Sequence, residues 1–282
     1  MASTQRTSVR RDLTPDQLAA LCERALPTEQ LSADDLETCC YGPEGNVTGD
    51  QRAAIAWVVR ETSAVGVAWI TLLAVDPDHQ RRGLGRALVD DVVAECRARG
   101  VDEVHTGNLA PRYVWPGVDL SNTAALALFQ ALGFEAYDHG LNMLLPTTFR
   151  APTPPGIVVE RETGSGAAEL ARREFPHWED EVTRGVERGT AFAARDSSGE
   201  TIAFGAHSVN RRTWIGPMAT DPARRHAGTG HAILGALAED IADRYRVPVA
   251  EIAWVAPVPF YAKAGATAYR AFRMHRLRLR GT

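Results

Sequence analysis

Two turns in this chain have the composition of an anion site. Gln80-Arg81-Arg82-Gly83-Leu84-Gly85-Arg86 follows the apolar run Leu73-Ala74-Val75-Asp76-Pro77, and Arg225-His226-Ala227-Gly228-Thr229-Gly230-His231 follows Met218-Ala219-Thr220-Asp221-Pro222. The two phrases lie 145 residues apart. Each ends a strand-like run and opens a helical pattern. Glycines there let an oxyanion approach the main chain, and the first N–H groups of a helix point at it. Arg81, Arg82 and Arg86 add positive charge to the first copy. Neither copy has the Gly-x-Gly-x-x-Gly of a dinucleotide turn or the Gly-Lys-Ser/Thr of a Walker loop. A repeat at this spacing is too long for a solenoid and suits two copies of one domain.

The elements that must hold these turns are legible in outline. Thr14 is expected to cap a helix that begins at Pro15 and ends near Ala25, and Ser32 a second one reaching Cys40. Residues 8–13 read as a short strand and 41–46 as a loop. The β-branched runs 53–59 and 64–75 predict neighbouring strands. A helix over 83–99 should end at Gly100, followed by a strand over 101–107. Ser121 or Asn122 caps a helix to Leu132, and 134–145 supplies one or two strands that close the sheet. Residues 146–156 hold four prolines and predict a linker. The second half repeats this order. It has a strand over 157–162, one or two helices over 166–188, and a hairpin (191–195 with 201–209) turned at Asp196-Ser197-Ser198-Gly199. A strand over 213–220 interrupted at Pro217, a helix over 228–245, a strand over 249–255 and a short helix over 259–264 come next, and 267–279 closes the second sheet. The predicted division is therefore 1–146, a linker 147–156, and 157–282. Each half is a mixed α/β (α+β) unit with a mostly antiparallel sheet flanked by helices.

Bulk composition narrows the function. The chain has 282 residues, 45% hydrophobic and 23% charged, and a net charge of −4, which gives no general reason to expect nucleic acid as a partner. No apolar run approaches the roughly 18 residues of a membrane span. The four cysteines (22, 39, 40 and 96) include an adjacent pair and no Cys-x-x-Cys, so a reduced cytoplasmic protein without a metal site is expected.

The segment 73–88 resembles motif A of the GNAT superfamily of N-acetyltransferases, of the form Gln/Arg-x-x-Gly-x-Gly/Ala. Asn122-Thr123-Ala124-Ala125-Leu126-Ala127-Leu128-Phe129-Gln130-Ala131-Leu132-Gly133-Phe134 resembles its motif B. Arg225-x-x-Gly228-x-Gly230 and Phe260-Tyr261-Ala262-Lys263-Ala264-Gly265-Ala266 are similar to the same motifs in the second half. The resemblance implies two tandem GNAT domains and acetyl-CoA, or another acyl-CoA, as donor. It implies that the diphosphate is held by residues 81–86 with Gln80, and the pantetheine arm along Leu73, Ala74 and Val75 with Asn122 beside it. The matching second positions are Met218, Ala219, Thr220 and Arg225 to His231, with Trp254 in place of the asparagine.

The resemblance also assigns roles. A motif B tyrosine often protonates the departing thiolate. Tyr261 occupies that position in the second half, and Phe129, without a hydroxyl, in the first. Tyr261 is thus expected as the acid, or else as a packed aromatic bonded to main chain. The expectation is a division of labour, with the first half binding acyl-CoA and the second transferring to a small-molecule amine. His207 and Glu251 are the alternatives for a base, His207 being equally readable as structural. Trp178, Glu179 and Asp180 are expected either to bind a cationic acceptor or to be only an acidic helix start. A non-catalytic acyl-CoA sensor and a protein N-acetyltransferase remain open beside the small-molecule reading, as do monomer and homodimer.

Overall fold

The structure, a computed structural model, describes residues 9–61, 66–107, 109–224 and 228–279. Two compact units divide it, Met1–His139 with Phe272–Thr282, and Gly140–Ala271.

In the first unit, Thr14 and Gln17 close a capping box at the start of α1 (Pro15–Ala25), and Ser32 and Asp35 do the same for α2 (Ala33–Cys40). The sheet runs β1 (Asn46–Gly49), β2 (Ala53–Glu61), β3 (Gly66–Val75), β4 (Glu103–Thr106). β3 and β4 are parallel, with α3 (Leu84–Ala98) as the crossover, while β1/β2 and β2/β3 are antiparallel. β5 (Val118–Asp119) and α4 (Thr123–Ala131) follow. Leu72 and Ala74 pack against Leu18, Leu21 and Leu36 on one face, and the register shift in β3 between Ile70 and Leu72 turns the residues before it to the opposite face. Ile55 and Ile70 pack against Val89, Val92 and Phe129 on the other.

The strand β6 (Glu135–Pro146) carries the chain into the second unit. There β7 (Val158–Arg161), α5 (Gly166–Glu174), α6 (Glu179–Glu187), β8 (Ala191–Arg195), β9 (Thr201–His207) and β10 (Trp214–Thr220) repeat the order. They are followed by α7 (Thr229–Tyr245), β11 (Val249–Ile252), α8 (Val258–Lys263) and β12 (Thr267–Arg278). The sheet order is β6-β11-β10-β9-β8-β7, with β10/β11 the parallel pair that matches β3/β4.

The closing strands depart from the expected division at 146 and 157. β6 pairs with β11, from Met143↔Ile252 to Pro146↔Val249. β12 pairs with β4 at 276–278 and with β5 at 272–273. Each half thus lends its last strand to the other unit. Met143 and Leu145 are buried in the second unit's core, and Phe272 and Met274 are buried at the far end of the chain's path in the first. Smaller differences are local. Arg11 makes an isolated bridge to Val47 in place of a strand over 8–13, and β1 begins inside the expected loop 41–46.

Candidate active site

In the first unit, β3 pairs with β4 from Val67↔Glu103 to Ile70↔Thr106. Leu72, Leu73, Ala74 and Val75 continue in register with β2 alone. The two parallel strands therefore part beside a free main-chain edge. Asp76 ends β3. Its carboxylate accepts from Arg24 Nε at 2.7 Å and from the Asp78 amide at 3.0 Å, which hold it below the usual carboxylate range. Gln80 Nε2 donates to the Val75 carbonyl at 3.1 Å. Arg81 (φ 59°) and Gly83 (φ 85°) are left-handed, and α3 starts immediately after them. Its first closure is Ala87 N to Gly83 O at 2.9 Å, which leaves the amides of Leu84, Gly85 and Arg86 without a helical partner behind them. A Cβ on Gly83 would meet nothing within 4 Å, whereas one on Gly85 would meet Val75 Cγ2 at 3.4 Å and Leu128 Cδ2 at 3.6 Å. Arg81, Arg82 and Arg86 are exposed around this open turn. These residues fit a diphosphate, which needs converging amides, no side chain at Gly83, and cations at the rim. Asn122 caps α4, its Oδ1 accepting from the Ala125 amide at 3.0 Å, and its amide group remains a donor. Phe129 is packed in the core with its ring 5.1 Å from that of Phe134.

The second unit repeats the parting of strands. β10 and β11 pair at Trp214↔Glu251 and Ile215↔Ile252, and the register of β10 against β9 shifts between Ile215 and Met218. Gly228 (φ 99°) opens α7 at Thr229, which is buried with its hydroxyl unpaired among the described residues. Arg225, His226 and Ala227 lie outside the described residues. Unlike Gly83, Gly228 has a neighbour, Pro154 Cγ, 3.3 Å from where a Cβ would stand.

A cavity of about 660 Å³ opens at this parting. It unites Met218, Ala219 and Thr220 of the strand with Gly228, Gly230 and His231 of the turn. Tyr261 and Trp178 also face it. Tyr261 is 8% exposed, burial pushes its phenol up to about 12, and its hydroxyl has no hydrogen bond among the described residues. A protonated, unengaged donor in a cleft is what an acid for a leaving thiolate requires. Phe260 stacks on His231, centroids 4.3 Å apart, and the His231 Nε2 lies 3.0 Å from the Phe260 carbonyl.

Four expected site residues are engaged elsewhere. His207 is fully buried, its Nε2 2.7 Å from Asp240 Oδ2 and its Nδ1 3.0 Å from Ser208 Oγ, and it does not line the cavity. Glu251 accepts from Asn142 Nδ2 at 2.5 Å and likewise stays outside the cavity lining. Glu179 pairs with Arg172 at 2.9 Å and Asp180 with Arg184 at 3.1 Å. Phe204, Phe260 and Lys263 line the cavity without having been singled out. Phe204 sits on a strand buried on both faces, where a two-residue period carries no signal. Phe260 and Lys263 flank Tyr261 in the quoted motif, and that position was the available clue.

Among the described residues no cluster of three metal-ligating side chains occurs, and no helix is long and apolar enough to cross a membrane.

Residues 9–134 match the model of the acetyltransferase (GNAT) family. The chain is 45% identical over 63 residues to a [ribosomal protein bS18]-alanine N-acetyltransferase of Escherichia coli K12, covering 22% of this chain and 36% of that protein. It is 29% identical over 195 residues to a mycothiol acetyltransferase of Clavibacter sepedonicus, covering 61% of this chain and 60% of the other. The match thus spans about a third of the length of the first relative. A tandem GNAT protein from the clavulanic acid biosynthesis pathway superposes with a TM-score of 0.69 at 16% identity, over 95% of this chain and 96% of that one. The chain thus carries the fold of that tandem GNAT protein, and its residues 9–134 match the acetyltransferase (GNAT) family model.

Proposed function

We propose that this protein is an acyl-CoA-dependent N-acyltransferase, with acetyl-CoA as the donor, acting on a small-molecule amine. The first unit's open turn, residues 80–86, holds coenzyme A, and the second unit carries the transfer. One observation supports this most: the Tyr261 hydroxyl, protonated and unengaged, faces a cavity at the point where β10 leaves β11. A bound acyl-CoA supplies an acyl group activated as a thioester. The chain's own part is to keep water from the cavity with apolar walls, to lay the donor along the free edge at Met218–Thr220, and to hold a proton on Tyr261 Oη for the sulfur that leaves. With His207 and Glu251 engaged elsewhere, the incoming amine is taken up already neutral, and its proton leaves through solvent at the cavity mouth.

Thiol release with a panel of amines tests this. Tyr261→Phe is expected to lower turnover by about 10²-fold or more, the usual range for a positioned acid. An unchanged rate removes Tyr261 from the chemistry. A second reading, transfer to a peptide N-terminus by the first unit, is favoured by the 45% identity to a ribosomal-protein alanine acetyltransferase. Peptide substrates in the same assay separate the two. A cytoplasmic setting accords with four free buried cysteines.

A further inference from the structure

We infer that the acceptor taken by the second unit is an amine carried on an aromatic body rather than a polyamine. This rests on the reading that the second unit performs the transfer, and it deepens that reading.

The cavity passes from one face of the sheet to the other. Its α7 end is the glycine turn, suited to phosphate. Its other end lies on the side of α5 and α6, where Phe204 and Ala219 pack with Phe175 and Trp178. The Phe175 and Trp178 rings are stacked, centroids 5.5 Å apart at 29°, and Phe175 meets Phe204 edge-on at 6.0 Å and 76°. Phe204 is fully buried, while Phe175 and Trp178 are half-buried and line the cavity. An arrangement of offset and edge-on rings accepts a further ring in the same geometry. At about 660 Å³ the space suits a small ring-bearing ligand.

Charge argues the same way. The acids that a polycation would need are on α6, and each is engaged. Glu179 is paired with Arg172, Asp180 with Arg184, and buried Glu181 accepts from Asn210 Nδ2 at 2.8 Å. Among the described residues that line the cavity, the one acidic or basic side chain, histidine aside, is Lys263, a cation. A diamine entering here would leave a second ammonium group without a counter-charge in apolar surroundings. A single amine on an aromatic body loses its proton more readily in such surroundings, which yields the nucleophile the reaction needs.

The test is calorimetry on the full chain with saturating coenzyme A, titrating 2-phenylethylamine, n-propylamine and putrescine. Phenylethylamine should bind about tenfold or more tightly than propylamine, the gain expected from burying the ring. Trp178→Ala and Phe175→Ala should abolish that preference, and Trp178→Phe should keep it. Phe175→Leu, which keeps most of the volume without the ring, decides the matter should the alanine variants lose their circular-dichroism signature. Putrescine or propylamine binding as tightly as phenylethylamine overturns the inference, as does the absence of binding by all three or a preference that survives loss of both rings. Thiol release is followed in parallel. A retained aromatic preference without turnover sinks the transfer reading and leaves the aromatic slot standing.

Discussion

His207 is held by Asp240, whose carboxylate also receives Arg161 at 2.6 Å and Arg244 at 2.6 Å. Burial lowers the imidazole's affinity for a proton below its ordinary value of 6.5, outweighing the attraction of Asp240. The unfolded chain therefore binds a proton that the folded chain refuses. By linkage, this contribution is complete above about pH 6.5 and is lost as the pH falls from there through the lower, folded value. Urea midpoints should drop across that window, and His207→Phe should flatten this part of the profile. The same variant should cost about 1.5–3 kcal/mol, since it removes one hydrogen bond to a carboxylate that Arg161 and Arg244 still hold, yet leave coenzyme A binding and the pH dependence of turnover unchanged. A base at this position would move the turnover profile instead. Tyr261 was legible from the sequence because its motif is local. His207 was not, because β9 is buried along its whole length and either face of the strand is equally apolar. Likewise, Glu179 and Asp180 looked available until their i+4 and inter-helix cations were in place.

Gly83 and Gly228 share a backbone conformation and differ in what surrounds them. Gly83 and Gly228 both have positive φ, 85° and 99°. Gly83 opens on empty space, whereas Gly228 lies against Pro154 of the segment expected to be a linker. Alanine at 83 meets no atom, so its cost is the left-handed backbone alone, about 1–2 kcal/mol. Charged wholly to the bound turn, that is about tenfold in affinity. Gly83→Ala should therefore weaken coenzyme A binding by about tenfold in calorimetry and leave the thermal stability of the unbound protein nearly unchanged. A larger effect of Gly228→Ala on the same isotherm would place the tight site in the second unit and reverse the assignment. These helix starts were readable because caps and glycines act over three or four residues, as the capping box at Thr14 and Gln17 shows. β5, two residues long, has no such local mark. It exists because β12 lies beside it, at Phe272↔Asp119.

Strand ownership is where local reading stops. The apolar alternation of Leu141, Met143 and Leu145 makes a strand, and so does that of Phe272 and Met274, but neither pattern states which sheet is to be joined. The repeat suggested that each half closes its own, and the register pairs 143–146 with β11 and 276–278 with β4. A fragment cut within 147–156 therefore lacks a strand of its first unit. It loses the burial of Phe272 and Met274, 0% and 1% exposed, each worth about 1.5–3 kcal/mol, together with the main-chain bonds to β4 and β5. Against a typical domain stability of about 5–15 kcal/mol, a loss near 4 kcal/mol is a large share. Residues 1–156 expressed alone should melt early and broadly by circular dichroism, and a synthetic peptide of residues 267–282 should restore a sharper transition. A fragment that melts cooperatively at the temperature of the whole chain, unmoved by the peptide, would mean that the first unit closes its sheet without β12.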